Sequence, residues 1–144
     1  MSVKHILKQK GRDVVVAKPS DTVKQVAETL AAKRIGAVVV SSGEGRVEGI
    51  LSERDVVRAV AGLGAAALAR PVSDFMTKEV KHCTEDDSEA ELMALMTQHR
   101  IRHLPVVTGG KLAGMISIGD VVKFRIEAIE RDAADMKAYI SGAA

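Results

Sequence analysis

The chain has 144 residues, enough for one domain of ordinary size or for two small units that share a core. Hydrophobic residues make up 47% of the chain but aromatic residues only 2%, and the formal net charge is +2, so the core must be aliphatic. The concentrated basic face and stacking aromatics of a nucleic-acid-binding domain are missing, and we do not expect nucleic acid as a partner.

Cysteine content and hydropathy exclude several further classes of protein. Cys83 is the only cysteine, so an intrachain disulfide is impossible and a zinc site would lack its usual thiolates. Residues 1–12 lack the apolar core of a secretory signal, and the longest uncharged apolar run, Ala59–Ala69, is well short of the roughly 20 residues that cross a bilayer. We expect a cytoplasmic protein without a membrane segment.

The first half of the chain predicts the order strand, helix, strand, strand, helix. The bounds are, in chain order, Val14–Val16, a helix that starts at Pro19–Thr22 and stops at Gly36, Ala37–Val40, Val47–Leu51, and a helix that Ser52 opens and that reaches about Val60. The first helix carries apolar residues at helical spacing, namely Val23, Val26, Ala27, Leu30 and Ala31. A Gly43-Glu44-Gly45 turn separates the last two strands.

The second half predicts the same five elements. They are a strand Val80–His82, a helix with the inner face Leu92, Met93, Leu95 and Met96, strands Leu104–Val107 and Leu112–Ile116 around a Gly109-Gly110 turn, and a helix that follows Ser117. Gly62, Gly64 and Pro71 mark the junction, and the Ala-rich stretch between them predicts a helix. Because a unit of about 60 residues buries little apolar surface alone, we expect the two sheets to pack together in one cooperative core.

The two halves also match residue by residue. Gly49–Val57 recurs 65 residues later as Gly114–Val122, with the Gly, the Ser, the Asp and both final Val residues unchanged. A repeat at a fixed spacing predicts two copies of one structural unit. In each copy a Ser-x-x-Asp motif follows a Gly-led apolar strand and opens a helix, so the functional site should lie there.

The Ser-x-x-Asp motif has two interpretations. It is a capping box, in which the hydroxyl accepts from the third helical N–H and the acid lies in the positive first turn. The free amides and the hydroxyl of a helix N-terminus can also hold a phosphate. Because the Asp would repel phosphate, in a nucleotide site it would face the ribose and accept from its hydroxyls.

The last helix continues past the repeat unit. Its apolar residues follow a heptad-like spacing, and Glu127 and Arg131 form an i,i+4 pair on the polar side; the stripe is Val122, Ile126, Ile129, Ala133, Met136 and Ile140. The helix either docks on its own domain or lies at a homodimer seam. Its length beyond the repeat favours the homodimer.

These motifs resemble a tandem pair of CBS domains, the regulatory module named after cystathionine β-synthase. The resemblance covers nearly the whole chain and rests on the two Gly-h-h-Ser-x-x-Asp-h-h motifs (h, apolar), on Ile101–Val106 and on Asp74–Thr77, which is similar to the family's lead-in to a repeat. It implies an α+β fold of two βαββα repeats packed sheet to sheet with pseudo-two-fold symmetry, plus a long C-terminal helix. We assign residues 1–66 to the first repeat, 67–128 to the second and 129–144 to a helical extension.

The resemblance implies a homodimer with two adenine-nucleotide clefts in each chain. Each cleft combines the Ser-x-x-Asp of one repeat with strand residues of the other. Cleft one would contain Ser52, Arg54, Asp55, Thr77, Ile101, Arg102 and His103. Cleft two would contain Ser117, Asp120, Val15, Ile35, Gly36 and Ala37.

The two clefts differ in charge. Arg54, Arg102 and His103 lie near the expected phosphate end of cleft one, whereas cleft two has glycine or alanine at the matching places. We therefore expect cleft one to hold the charged ligand. Glu53 departs from this pattern, because its negative charge disfavours a triphosphate unless a metal ion is present.

The favoured function is a regulatory module that senses an adenine nucleotide, with AMP first and ATP or NAD(H) as further ligands. It would act on a regulated protein or through the geometry of its dimer. The alternative is a ligand-independent scaffold in which Ser-x-x-Asp only caps helices. We expect no enzyme and no metal site, because neither Ser52 nor Cys83 has a catalytic neighbourhood and His99 and His103 do not share a helical face.

Overall fold

The structure, a computed structural model, describes residues 2–142 and has five α-helices and five strands within them. The first unit contains β1 (Val16–Ala17), α2 (Val23–Lys33), β2 (Ala37–Val40), β3 (Gly49–Ser52) and α3 (Glu53–Leu63), and is preceded by α1 (Val3–Lys10). The second contains α4 (Glu89–His99), β4 (His103–Thr108), β5 (Lys111–Ser117) and α5 (Ile118–Ile140). Two 3-10 helices, Gly64–Ala69 and Val72–Asp74, link the units. This is the predicted α+β class with a long C-terminal helix.

The strands form two small sheets. In the first, β1 pairs in parallel with β2, which pairs antiparallel with β3 so that Ala37 lies opposite Ser52. In the second, β4 and β5 form a hairpin in which His103 lies opposite Ser117. Gly109 and Gly110 both have positive φ at the hairpin turn, as predicted. Each sheet thus ends at a Ser that caps the following helix.

The two repeats are related by pseudo-two-fold symmetry: the segment at the start of each repeat is hydrogen-bonded to the other repeat. The Val3 N–H donates to Asp87 O at 2.8 Å, and the Val72 N–H donates to Asp21 O at the same distance. Each acceptor lies just before a helix of the opposite repeat. The N-terminal segment therefore lies on the second unit, and the linker after α3 lies on the first.

The core consists of two buried clusters instead of the single cluster that we predicted. One joins α1 to the second unit through Val3, Ile6 and Leu7, and the other joins the linker residue Val72 to the first unit. Each sheet is thus covered by a segment from outside its own repeat. The units meet at backbone contacts, such as the 2.7 Å hydrogen bond from the Leu112 N–H to Gly45 O.

Several local predictions need correction. The strand expected at Val14–Val16 is Val16–Ala17. Val80–His82 is not a strand; the next residue, Cys83, forms an isolated bridge with Val106. Met93 faces outward on α4, while Leu92 and Met96 are buried. A helix, α1, occupies a segment for which no structure was predicted, because its buried residues contact elements more than 80 positions away.

The C-terminal helix runs without a break through the predicted division at residue 128. Glu127 accepts a 2.7 Å hydrogen bond from Gln9 and, within residues 2–142, makes no salt bridge with Arg131. From Ile129 onward every described side chain of α5 is exposed. Docking on its own domain therefore ends near Ala128. None of the helices described here has the length and apolarity of a membrane span.

Candidate nucleotide-binding clefts

Both Ser-x-x-Asp motifs form the capping box that their spacing predicts. The Ser52 N–H donates to Asp55 Oδ2 at 2.9 Å, and the Asp55 N–H donates to Ser52 Oγ at 3.4 Å. The matching distances between Ser117 and Asp120 are 2.9 and 3.1 Å. In both copies Oδ1 accepts no hydrogen bond from residues 2–142. Capping thus occurs twice and leaves one oxygen of each carboxylate for a further donor.

A cleft of about 550 Å³ opens at the N-terminus of α3. It lies between the end of β3 and the segment that joins α4 to β4, so both repeats contribute to its walls. All seven residues predicted for cleft one line it: Ser52, Arg54, Asp55, Thr77, Ile101, Arg102 and His103. The cavity is large enough for a nucleotide-sized ligand, since ligand pockets range from about 300 to 1,000 Å³.

Further residues line cleft one that the sequence did not assign to it. They are Gly36, Ile50, Arg58, Glu79, Val80, Lys81, His99 and Arg100, of which only Gly36 was predicted, for cleft two; Glu53, whose charge was expected in cleft one, lines it as well. Arg58 follows Arg54 by four positions on α3, a spacing that places both on one helical face and could have identified it. Lys81 and Glu79 lie in the extended linker, where no periodic pattern marks them.

Positive charge dominates cleft one. The basic lining residues are Arg54, Arg58, Lys81, Arg100 and Arg102, and the acidic ones are Glu53, Asp55 and Glu79. The positive end of the α3 dipole adds to this field, although the Glu53 N–H already donates to Gly36 O and the Asp55 N–H to Ser52 Oγ. An anionic ligand is therefore favoured over a neutral one of the same shape.

His103 lies where the two repeats meet. A Cβ on Gly36 would lie 2.8 Å from His103 Cε1, so a side chain at position 36 would require the imidazole to move. Burial lowers the pKa of His103, and the nearby charge of Lys10 lowers it further, whereas Glu53 and Asp120 act in the opposite direction. His103 is therefore a neutral hydrogen-bonding group at pH 7 and adds no cation to cleft one.

A smaller recess of about 320 Å³ adjoins cleft one and shares Asp55, Arg58 and Thr77 with it. Its remaining lining is mostly apolar: Ala59, Gly62, Leu63 and Phe75. Asp55 thus borders both a charged cleft and an apolar recess, an arrangement that suits a ligand with a polar and an apolar part.

The residues predicted for cleft two come from both repeats. Ser117 and Asp120 form the capping box of α5, whereas Val15 and Ile35 pack against the core of the first unit. Ala37 is buried in β2 beside Ser52, and Gly36 lies in the wall of cleft one. Gly36 packs against His103, which lies opposite Ser117 in the second sheet, so the predicted set spans the boundary between the two repeats.

Asp120 is held by a lysine that the sequence did not connect with it. Lys10 Nζ lies 2.5 Å from Asp120 Oδ2 and 2.6 Å from Met115 O. Burial acts to raise the pKa of Asp120, but hydrogen bonds from Lys10 and Ser117 outweigh it, and the pKa lies below its usual value. Asp120 is therefore ionised and paired, whereas the charge of Asp55 has no lysine or arginine salt-bridge partner within residues 2–142.

Comparison with models of known protein families shows which family this chain belongs to. The CBS domain model matches twice, at residues 3–62 and 72–127. The chain belongs to the CBS domain family. The two CBS matches coincide with the two structural units, and the 3-10 linker lies largely between them.

Solved CBS structures share this fold over most of the chain. A CBS-domain protein from Agrobacterium tumefaciens is 52% identical, with a TM-score of 0.84 over 87% of this chain and 99% of that one. A CBS domain protein from Pyrobaculum aerophilum, solved in complex with AMP, is 29% identical, with a TM-score of 0.73 over 83% of this chain and 89% of that one. A CBS relative of recognisable sequence thus binds an adenine nucleotide.

Among the curated CBS relatives, the mitochondrial protein CBSX3 of Arabidopsis thaliana is 33% identical over 149 aligned positions, which cover 98% of this chain and 72% of that protein. A 17.7 kDa protein of Acidianus ambivalens is 36% identical over 111 residues. That match covers 76% of this chain and 66% of the relative's length. The CBS pair therefore accounts for about two thirds of these longer relatives.

Proposed function

We propose that this CBS pair is a regulatory module that binds an adenine nucleotide, AMP above all, in cleft one. The observation that carries the proposal is the meeting of Ser52 and Asp55 with Arg54 and Arg102 in one cavity of about 550 Å³. The AMP complex of the Pyrobaculum aerophilum relative supports the ligand class.

Each group in cleft one has a role in this proposal. Asp55 accepts hydrogen bonds from the ribose hydroxyls through its unpaired Oδ1. Ser52, the amides at the start of α3, Arg54 and Arg102 receive the phosphate, because charge-assisted hydrogen bonds are about twice as strong as neutral ones. Thr77 and Ile101 contact the adenosine part, and neutral His103 supplies a hydrogen bond without charge.

Cleft one also offers contacts for larger adenine nucleotides. ATP and NAD(H) carry the same adenosine and first phosphate, and Lys81 and Arg100 extend the basic wall beyond Arg102. The carboxylates of Glu53 and Glu79 oppose each further phosphate unless a divalent cation accompanies it. AMP therefore suits the charge of cleft one best.

We further propose that the protein is a homodimer joined in part by α5. Ile129 is 56% exposed and Ile140 is 76% exposed, and the other large apolar groups of the same stripe, Val122, Ile126 and Met136, are exposed as well. Soluble proteins usually bury a surface of this kind against a partner. A ligand in cleft one could then be sensed through the dimer or by a regulated protein.

The protein would then be a binding module without catalytic activity of its own. It would be located in the cytoplasm. Burial raises the pKa of the Cys83 thiol to about 12, so this cysteine is not an activated nucleophile. A free buried thiol also fits a reducing compartment.

The alternative function is a scaffold in which both motifs only cap helices, and the two capping boxes favour it.

Calorimetric titration with AMP tests the proposal through a matched pair of variants. Asp55→Ala and Asp120→Ala remove the same capping group from equivalent helices, and Asp120→Ala also removes the ion pair with Lys10, so it should destabilise the fold at least as much as Asp55→Ala. Only Asp55→Ala should weaken AMP binding, by about tenfold to 150-fold, because losing a hydrogen bond to a charged acceptor costs about 1.5 to 3 kcal/mol. Absence of binding by the unmodified protein would support the scaffold instead, and an equal or larger loss at Asp120 would contradict the choice of cleft.

A further inference from the structure

Lys10 makes a contact in the second unit that a backbone group makes in the first. In cleft one, the Ile50 carbonyl accepts a hydrogen bond from the Thr77 N–H at 2.9 Å, and the Ile50 N–H donates to Thr77 O at 3.0 Å. Met115 is the repeat equivalent of Ile50, 65 positions later. Its carbonyl accepts instead from Lys10 Nζ, at 2.6 Å. A side chain thus replaces the backbone pairing that forms one wall of cleft one.

Helix α1 is fixed so that Lys10 reaches this position. A Cβ on Gly114 would lie 2.7 Å from Leu7 Cδ2, so the helix sits directly on β5 where that strand has no side chain. Gln9 donates to Glu127 of α5 at 2.7 Å. The chain then turns away at Gly11, whose φ is 105°. Lys10 is the last helical residue, and its ammonium is held between Met115 O and Asp120.

The consequence is an ion pair at the carboxylate that would otherwise face a ribose. The Lys10 ammonium lies 2.5 Å from Asp120 Oδ2, and both side chains are partly buried, with 34% and 24% of their areas exposed. Asp55, at the equivalent position in cleft one, borders an open cavity. The two repeats therefore carry the same motif, but its Asp borders an open cavity in the first repeat and is paired with Lys10 in the second.

We propose that Lys10 acts as a built-in occupant of cleft two, so that each chain takes one nucleotide, in cleft one. This inference rests on the proposed nucleotide-binding function. A nucleotide in cleft two would have to move the Lys10 ammonium, which would take this donor from the Met115 carbonyl and break the ion pair with Asp120, whose Oδ2 would keep only the hydrogen bond from the Ser117 N–H. The loss of both Lys10 contacts opposes such a displacement.

Changing Lys10 should release the second site. In Lys10→Met the side chain keeps its length but loses the ammonium, and Lys8→Met makes the same change at an exposed position on the same helix. The probes are AMP and adenosine, titrated by calorimetry into the purified full chain. Cleft two without Lys10 has no cation of its own, so it should bind both probes with similar affinity, at least tenfold weaker than AMP at cleft one.

The expected stoichiometry is one AMP per chain for the unmodified protein and for Lys8→Met, and two for Lys10→Met. One site in Lys10→Met, or two sites in the unmodified protein, would overturn the inference and leave the proposed function intact. No AMP bound by the unmodified protein but one by Lys10→Met would overturn the choice of cleft one and support the role of Lys10. Absence of binding by both would overturn both claims.

Lys10→Gln guards against a variant that fails to fold. Its amide is uncharged and its side chain is shorter than that of lysine, so it does not form the ion pair with Asp120. Thermal unfolding followed by circular dichroism establishes that each variant is folded before titration. A folded Lys10→Gln that binds a single AMP would overturn the inference in the same way as the methionine variant.

Discussion

Asp55 and Asp120 show how a single distant residue can separate two copies of one motif. Their capping hydrogen bonds differ by at most a few tenths of an ångström. Lys10 lies 110 positions before Asp120 in the chain and is close to it only through the placement of α1. The repeat predicts two equivalent carboxylates, and the tertiary contact makes one of them a salt-bridge partner.

His103 provides a prediction on pH dependence at the residue scale. Because its pKa in the folded protein lies below the usual 6.5, the unfolded chain binds a proton more readily than the folded chain. Stability conferred by neutral His103 should therefore be lost as the pH falls below about 6.5 towards the folded-state pKa. His103→Gln cannot titrate, so its melting temperature should fall less between pH 7.5 and 5.5 than that of the unmodified protein.

Melting curves without nucleotide measure this difference directly. His99→Gln is the matched control, because it removes another imidazole from the lining of cleft one. An equal fall in melting temperature for His103→Gln and the unmodified protein would mean that His103 is not held neutral by its surroundings.

At the scale of elements, the C-terminal helix carries the prediction on assembly. Ile129→Lys places a charge in the exposed apolar stripe, and Ala134→Lys adds the same charge at an exposed position of α5 on another face. We expect Ile129→Lys to shift the mass measured by light scattering from a dimer towards the 15.3 kDa chain, because the charge would be buried at the seam. Ala134→Lys should leave the mass unchanged. An unaltered dimer in both variants would make the helix an accessory to association.

Element boundaries also show where sequence reasoning works. The α2, β2 and α3 segments were found because helical spacing, a β-branched run and a capping serine each give a local signal. Val80–His82 has the composition of a strand, but β4 pairs with Cys83 and not with these residues. The pattern indicated an extended segment, and only the tertiary register determined which residue pairs.

At the scale of the whole molecule, the repeat carried most of the prediction. It gave the order of most elements, and the resemblance to CBS pairs that it supports gave the α+β class and the seven residues assigned to cleft one, all of which line the cavity. It failed wherever segments cross between repeats: α1 covers the second unit, the linker covers the first, and Lys10 reaches Asp120. Such crossings depend on the path of the chain, which a repeat in sequence does not specify.

The central claim is that cleft one binds a nucleotide through its phosphate, and calorimetric comparison of AMP with adenosine tests it most directly. The basic side chains of cleft one, including Arg54 and Arg102, gain a partner only when a phosphate is present. AMP should therefore bind at least tenfold more tightly than adenosine, and ATP should gain little over AMP without a divalent cation. Equal affinity for adenosine and AMP would contradict the account and would make these residues surface or dimer contacts.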